Sequence, residues 1–463
     1  MNNRTVVSLV DGVRIVVPDS VHLLTPYVLR EQGDWFEDEI RFVRRVLEPG
    51  QQAIDIGANY GVYTLSMAKA VGPDGKVWAF EPASKTADFL AASIAENDFR
   101  HVVLERSALS SATGFSSLSL NDNAEMNALN HGAEASNASE RVVLATLDER
   151  TTAHNWRSMD FIKVDAEGEE LNILRGGARF FADTSPLVQY EIMAGSALNL
   201  DLVEAFAERG FRSYRLVPGL GLLVPFDPKA PADPFLLNLF CCKPERAAYL
   251  AARGLLVESA PAAGPVVEPA AGRYGWQATL VKLPYGQALA GVWQQQMAGG
   301  GDVDLTTALA EYALSRDTSR SPADRFRALE SAFTRLRALC DTDSSRLRLL
   351  SLARVARDFG ARMLAVAALE DTLDRFDRTQ AVDIGEPFLA PGPRFDSLPP
   401  GPRIIEWVLA AVLEELEELE QLSAHSSYFT GNEARNRLEN ITQLGLGSEA
   451  MRRRKALLEQ RFG

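Results

Sequence analysis

Asp55 and Glu81 stand 81 − 55 = 26 residues apart, and a glycine loop, Gly57-Ala58-Asn59-Tyr60-Gly61, follows directly behind the first of them. Glycine has no Cβ and tolerates positive φ, so a loop of this kind lets backbone N–H groups and a helix N-terminus approach a ligand closely. An acid at the end of the next strand can accept hydrogen bonds from both hydroxyls of a ribose lying across the strand ends. The combination implies a nucleoside-containing cofactor. NAD and S-adenosylmethionine both place a ribose in this way. The dinucleotide fingerprint G-x-G-x-x-G is not met, because three residues separate Gly57 from Gly61. Asp55 is awkward beside a pyrophosphate but suits the ammonium or sulfonium side of S-adenosylmethionine, so the residues favour the methyl donor. The alternative is structural: the two glycines make only a tight strand-to-helix turn and Glu81 is a solvated strand end.

Strands and helices must position these groups. Ala53 to Ile56 is a short apolar, β-branched run of the kind buried on both faces, and a helical pattern starts near Gly61 with Leu65, Met67, Ala68 and Val71. Lys76 to Phe80 reads as the next parallel strand and Ser84 to Asn97 as the next helix. Val102 to Arg106 is a third strand, followed by Ser107 and Ala108, small residues against which an adenine ring can lie. Ahead of this unit, Thr5–Leu9 and Val13–Val17 flank Asp11-Gly12, a hairpin signal, and Trp35 to Leu47 has helical spacing. Residues 110 to 140 are rich in Ser, Asn, Ala and Gly; Phe115, Leu118, Leu120 and Val142 to Ala145 are read as a strand pair extending over the site, a place for substrate contacts or a plain surface excursion. Alternation resumes with a strand over Met159 to Asp165, a helix over Leu171 to Phe181, a strand over Leu187 to Ile192, a helix over Asp201 to Arg209 and strands over Phe211 to Val217 and Phe235 to Cys242. The expectation is an α/β, Rossmann-like sheet of seven strands with ligands at the carboxyl ends.

Composition bounds the rest. A chain of 463 residues is long for one domain. The 62 acidic against 48 basic residues, net −14, disfavour long polyanions. No Asn/Asp-Pro-Pro-aromatic run follows a strand, which argues against a flipped nucleic-acid base as acceptor. No apolar run is long enough to span a bilayer and Met1 to Val10 lacks a secretory pattern, so a cytoplasmic location is expected. Cys241, Cys242 and Cys340 form neither a disulfide framework nor a C-x-x-C motif, and His22, His101, His131, His154 and His425 lack ligand spacing.

From about Arg253 the composition shifts. The organisation expected is a domain over 1–250, a linker over 251–272 with Ala, Pro and Gly prominent, and an all-α helical domain over 273–463. Helical periodicity marks Val303–Leu314, Ala323–Leu339, Ser345–Phe359, Arg362–Phe376 and Ile404–Leu422, with an irregular break from Pro387 to Pro402. Phe326-Arg327-Ala328-Leu329-Glu330 and Val366-Ala367-Ala368-Leu369-Glu370, 368 − 328 = 40 residues apart, hint at stacked helical hairpins like a tetratricopeptide array, or match by chance. Glu414 to Glu420 reads as the solvated face of an amphipathic helix.

The first half resembles the FkbM-type family of S-adenosylmethionine-dependent methyltransferases. The resemblance is carried by Asp55-Ile56-Gly57-Ala58-Asn59-Tyr60-Gly61, by Val77-Trp78-Ala79-Phe80-Glu81-Pro82, by Thr146-Leu147-Asp148, and above all by Phe161-Ile162-Lys163-Val164-Asp165-Ala166-Glu167-Gly168 with Glu170-Leu171 and Leu174-Arg175-Gly176 behind it. It covers roughly residues 35 to 195; Ala166 stands where family members often carry Val. The resemblance implies O-methylation of a hydroxyl, commonly on a sugar or polyketide-like natural product.

For that chemistry the cofactor-binding candidates are Asp55, Gly57, Ala58, Asn59, Gly61, Glu81, Ser107 and Ala108, and the catalytic candidates Asp165, Glu167 and Lys163. Methyl transfer is an in-line displacement at carbon, helped by a base when the nucleophile is an alcohol. Asp165 is the first candidate for the base and Glu167 the second. Lys163 lies on the same face as Asp165, where an ammonium makes a carboxylate a poorer base or forms a structural ion pair with it. A Mg²⁺ held by Asp165, Glu167 and Glu191 is a further option. A reading of another class is an interaction protein whose helical half, through a partner, a second subunit or a glycan, does the work while the first half binds cofactor without turnover.

Overall fold

The structure is a computed structural model that describes residues 4–121, 123–124, 127–129, 138–194, 197–198, 200–259, 275–299, 301–342, 347–379, 381–419 and 426–463. Contacts divide the chain into two units: Met1–Leu216, Pro225–Ala230 and Leu236–Arg253 form the first, and Val217–Val224, Pro231–Phe235 and Gly254–Gly463 the second.

The first unit opens with the antiparallel hairpin β1 (Arg4–Ser8) and β2 (Arg14–Pro18), then α1 (Leu24–Gln32) and α2 (Asp38–Val46). The central strand β3 (Gln52–Ile56) runs through the glycine loop into α3 (Val62–Val71), followed by β4 (Lys76–Phe80), α4 (Ser84–Glu96) and β5 (Val102–Glu105). A separate four-stranded sheet is built from β6 (Ala108–Leu109), β7 (Gly114–Ser119), β8 (Ala128–Leu129) and β9 (Ser139–Ala145). Then come α5 (Leu147–His154), β10 (Phe161–Val164), α6 (Glu170–Gly176), α7 (Ala178–Asp183), β11 (Leu187–Glu191), the short pair β12 (Met193–Ala194) and β13 (Ala197–Leu198), α8 (Asp201–Ala207), β14 (Arg212–Val217), β16 (Asn238–Cys242) and α9 (Pro244–Ala252); between β14 and β16 the chain also forms β15 (Leu222–Pro225), whose residues up to Val224 are counted with the second unit.

The main sheet has the order β15-β14-β16-β11-β10-β3-β4-β5. Among the described residues it therefore contains eight strands and not the seven expected. The extra one is β15, whose Leu222-Leu223-Val224 run sits behind Gly219-Leu220-Gly221, a glycine turn followed by buried apolar residues that periodicity alone did not separate from a loop. Strands β11, β10, β3, β4 and β5 are parallel, while β16 is antiparallel to β11 and β14. Chain order leaves β3 outward in one direction through β4 and β5, and resumes on its other side with β10 and β11. The switch point lies between β3 and β10, the place where ligands bind open α/β sheets. Ile54, Ile56, Ile162, Val164, Val188 and Tyr190 are buried on one face of this sheet with Phe180, Phe181 and Phe206 of the covering helices.

The helix expected over Leu171 to Phe181 is two helices joined at Gly177, where a Cβ would stand 2.9 Å from the Leu147 side chain. The strands foreseen around residues 110–140 form β7 and β9, whose inner residues Leu118 and Val142 are buried with Ala83 at the start of α4. Of the expected linker over 251–272, residues 260–272 lie outside the described residues.

The second unit is helical: α10 (Trp276–Leu280), α11 (Pro284–Gln296), α12 (Val303–Ser315), α13 (Pro322–Thr342), α14 (Arg348–Phe359), α15 (Arg362–Thr379), α16 (Ile404–Leu419), α17 (Ser427–Thr430), α18 (Asn432–Leu444) and α19 (Glu449–Phe462). Helices adjacent in sequence pack together along α12, α13, α14, α15 and α16, and α16 packs on α18 and α18 on α19. Its core holds a buried aromatic group of Tyr285, Trp293, Phe388 and Trp407. Three acids of the run on α16 are not solvated, while Glu418 is partly exposed and Glu420 lies outside the described residues. Glu414, Glu415 and Glu417 are buried and face Arg394, Arg357 and Arg437 at 2.6, 3.0 and 3.1 Å, so the helix is enclosed by arginines from its neighbours rather than by water.

Candidate active site

The strand ends at the switch point carry a row of polar side chains. In register, Asp55 on β3 pairs with Lys163 on β10, and Lys163 with Gln189 on β11. All three are buried, a costly arrangement that a sheet core does not adopt without a reason. Asp55 is 1% exposed; its Oδ2 accepts from Thr64 Oγ1 at 2.5 Å and its Oδ1 has no partner among the described residues. Burial raises the Asp55 pKa, opposed by the Lys163 ammonium and the Thr64 hydroxyl.

The loop behind Asp55 turns because of its glycines. Gly57 has φ +77, and a Cβ there would fall 1.8 Å from the Asp165 carbonyl oxygen, so the loop passes over β10 at a distance that only glycine permits. Asn59 has φ +50, and Gly61 at the N-cap of α3 has φ +94 with a Cβ position 2.4 Å from Leu90. Gly57 and Ala58 donate their N–H groups to the Phe80 carbonyl at 3.1 and 3.0 Å. Glu81 begins directly after β4, 6% exposed, and accepts from the backbone N–H of Asn59 and of Ala83, each at 2.9 Å. Each of its oxygens keeps further acceptor capacity. Burial pushes the Glu81 pKa up to about 7 despite those two bonds. Asp55, Gly57, Ala58, Asn59, Gly61 and Glu81 are thus brought together. Ser107, just past β5, has a buried hydroxyl with no partner among the described residues, and Ala108 opens β6.

The catalytic candidates lie on the neighbouring strand end. Lys163 has a side chain 5% exposed, with its Nζ 2.5 Å from Asp165 Oδ2 and 4.8 Å from the centre of the Tyr63 ring. Burial lowers the Lys163 pKa, but the carboxylates of Asp165, Asp55 and Glu37 outweigh it and hold the ammonium above its ordinary value. Asp165 is half-buried beside this ammonium, whereas Glu167 is exposed, in a positive-φ turn with Gly168. Glu170 closes that turn by accepting from the N–H groups of Ala166 and Gly168 at 2.9 and 3.3 Å. Glu191, at the end of β11, has its pKa pushed up to about 10 by burial and by the charges of Asp165, Glu167 and Glu170. Among the described residues no group of three or more His, Cys, Asp and Glu is arranged to hold a metal ion, so the option of a Mg²⁺ on Asp165, Glu167 and Glu191 gains no support from the geometry.

Sequence reading missed Glu37, Tyr63, Thr64 and Gln189. Tyr63 donates to Glu37 at 2.5 Å and accepts from Gln189 Nε2 at 3.1 Å. Tyr63 and Thr64 lie within the glycine-loop helix and were open to notice as polar groups in its first turn; Glu37, far from any motif, gave no signal.

Residues 55–213 match the family model described as the methyltransferase FkbM domain. The match lies within the N-terminal half of the chain. No curated protein matches the chain. Among solved structures, the chain is similar to a SAM-dependent methyltransferase from Aquifex aeolicus, at 15% identity over 47% of this chain and 92% of the other with a TM-score of 0.28. It is also similar to Aeropyrum pernix fibrillarin in complex with natively bound S-adenosyl-L-methionine, at 13% identity over 52% and 94% with a TM-score of 0.28. An rRNA methylase from Streptococcus thermophilus is similar at 12% identity over 44% and 93% with a TM-score of 0.25. The matched residues include the strand ends of β3, β4, β10 and β11, and with them Asp55, Glu81, Lys163, Asp165 and Glu191; Glu37 lies outside the match. No helix among the described residues is long and apolar enough to cross a membrane.

Proposed function

We propose that this chain is an S-adenosylmethionine-dependent O-methyltransferase acting on a hydroxyl of a sugar, glycan or natural product. One observation carries the cofactor assignment: two buried carboxylates at adjacent strand ends flank a positive-φ glycine loop, one with an oxygen left without a partner and one tied to the loop backbone. S-adenosylmethionine fits this set. Glu81 has the acceptor capacity for two ribose hydroxyls, Asp55 faces cationic chemistry without the repulsion a pyrophosphate would meet, and Ser107 and Ala108 offer a small polar edge for the adenine. When bound, the cofactor supplies an electrophilic methyl group on a cationic sulfur.

The chain's own residues have two further roles, orientation and proton removal. With the cofactor bound, these residues would have to hold the acceptor hydroxyl in line with its methyl group and take up the hydroxyl proton on a carboxylate. Asp165 suits proton removal, because Lys163 fixes one of its oxygens while the side chain stays partly open at the strand ends. Glu191, whose carboxyl is held above its ordinary range by burial and by the charges of Asp165, Glu167 and Glu170, is less suited to proton removal and better placed to donate a hydrogen bond to the acceptor. Glu167, exposed on its turn, is the less suited base. Lys163 acts through Asp165.

In the second unit, Phe326, Ala328 and Leu329 on α13 and Val366, Ala368 and Leu369 on α15 are buried at matching places in successive helical hairpins, which supports reading this part as an array for acceptor recruitment, a protein partner or self-assembly. Calorimetry with S-adenosylmethionine, followed by methyl transfer onto panels of sugars and natural-product alcohols, tests the proposal. Binding without transfer, unchanged in Asp165→Ala, supports instead a cofactor-binding interaction protein.

A further inference from the structure

Glu37 occupies the N-cap of α2, where an acid ordinarily accepts from the first N–H groups of its own helix. It makes no such bond. Its carboxylate turns to the sheet and accepts from the Tyr63 hydroxyl at 2.5 Å. The same hydroxyl accepts from Gln189 Nε2 at 3.1 Å, so Tyr63 is fixed at its tip from two sides. Its ring face lies 4.8 Å from the Lys163 ammonium, which reaches Asp165 at 2.5 Å. The chain of contacts runs from a residue outside the matched residues 55–213, through a phenol and a ring face, to the Asp165 carboxylate at the proposed methyl-transfer site.

The segment bearing Glu37 is itself anchored. Arg44, two turns along α2, binds Asp34 at 2.6 and 2.7 Å through both terminal nitrogens and Asp11 at 2.9 Å through Nε, and also bonds Ser66 on α3. Glu37 thereby has a fixed position relative to Tyr63 on the same helix as Ser66.

We infer that Glu37 is a positioning residue for the Lys163–Asp165 pair, acting through Tyr63. A phenol that donates to a carboxylate has a more electron-rich ring, and such a ring attracts an ammonium more strongly. A buried lysine tends to lose its proton unless negative charge surrounds it; Asp165, Asp55 and Glu37 together supply that charge. The groups acting on Glu37 are Lys163, Tyr63, Asp165 and the Trp35 side chain, and burial raises its own pKa. The ammonium is held in one place, and with it the Asp165 oxygen it bonds. The inference rests on the proposed methyl transfer for its purpose, but not for its contacts, which a cofactor-free measurement reads directly.

The full-length chain is compared with Glu37→Gln, Glu37→Asp and Tyr63→Phe. A brief pulse of acetic anhydride without cofactor, read by mass spectrometry, measures the reactivity of Lys163 against exposed Lys85. We expect Lys163 to react about tenfold faster in Glu37→Gln, less so in Tyr63→Phe, and near the original rate in Glu37→Asp. With an acceptor in hand, kcat falls about tenfold in Glu37→Gln while KM for S-adenosylmethionine stays within about twofold. Unchanged Lys163 labelling in both Glu37→Gln and Tyr63→Phe overturns the inference, as does a general rise in labelling across all lysines, which means simple loosening. Should the chain bind no S-adenosylmethionine, the methyltransferase reading fails, and the labelling still decides whether Glu37 holds Lys163.

Discussion

Glu81 sits at the end of β4 with both carboxylate oxygens bonded to backbone N–H groups and a pKa raised by burial to about 7, well inside the range of ordinary buffers. Ribose hydroxyls donate to the ionised form better than to the acid. Affinity for S-adenosylmethionine should therefore be constant above pH 8 and fall about tenfold per unit below pH 7, a titration that calorimetry resolves and that Glu81→Gln should flatten at a weak level. In the cofactor-free chain the sign is the reverse. A carboxyl whose folded pKa lies above its unfolded value contributes stability below about pH 4.5, and this is lost as pH rises through about 7. Gly57→Ala puts a Cβ 1.8 Å from a backbone oxygen at a φ of +77; the expected cost is about 3 kcal/mol or more, seen in chemical denaturation together with loss of cofactor binding. Asp165→Asn should lower kcat by about 10²–10⁴ and leave cofactor affinity within about tenfold, measured by single-turnover transfer. Asp55, Gly57, Gly61, Glu81 and Asp165 were legible because backbone conformation and charge demand those residue types at those spacings. Glu37 and Gln189 were not, since each acts across the sheet through a contact that no linear spacing encodes.

At the scale of elements, the parallel strands were readable as short apolar runs ending in chemistry, whereas β15 and the break between α6 and α7 were not. Each depends on a glycine whose role appears only when another element packs on it, as Leu147 does on Gly177. The acid run of α16 shows the same limit with charge. Periodicity placed the helix, but a solvated carboxylate and one enclosed by arginines have identical local sequence. Glu417 is 1% exposed, with Arg437 Nε at 3.1 Å and the Arg454 guanidinium on its backbone carbonyl at 2.9 Å. Arg437→Met should leave that carboxylate buried without its ion-pair partner and cost about 3–5 kcal/mol in urea unfolding, while Glu417→Leu combined with Arg437→Met should recover most of the loss. If the single replacement costs under about 1 kcal/mol, water reaches Glu417 and the arginines do not enclose it.

At the scale of the molecule, the charge of −14 and the absence of a base-gripping motif pointed away from nucleic acid as acceptor, and the match to the FkbM family model covers residues 55–213 of a chain more than twice that long. The helical unit could be read as helices but not as a function, because an amphipathic helix announces only that one face is covered. Every role proposed for the first unit depends on the switch-point crevice taking S-adenosylmethionine. Titration of the full-length chain with S-adenosylmethionine at pH 8, beside the same titration with NAD and with Glu81→Ala, measures this directly. The predicted result is a single saturable site for S-adenosylmethionine, none for NAD, and an affinity loss of about 100-fold or more in Glu81→Ala. Equal binding by the original chain and Glu81→Ala, or no binding by either, would contradict it.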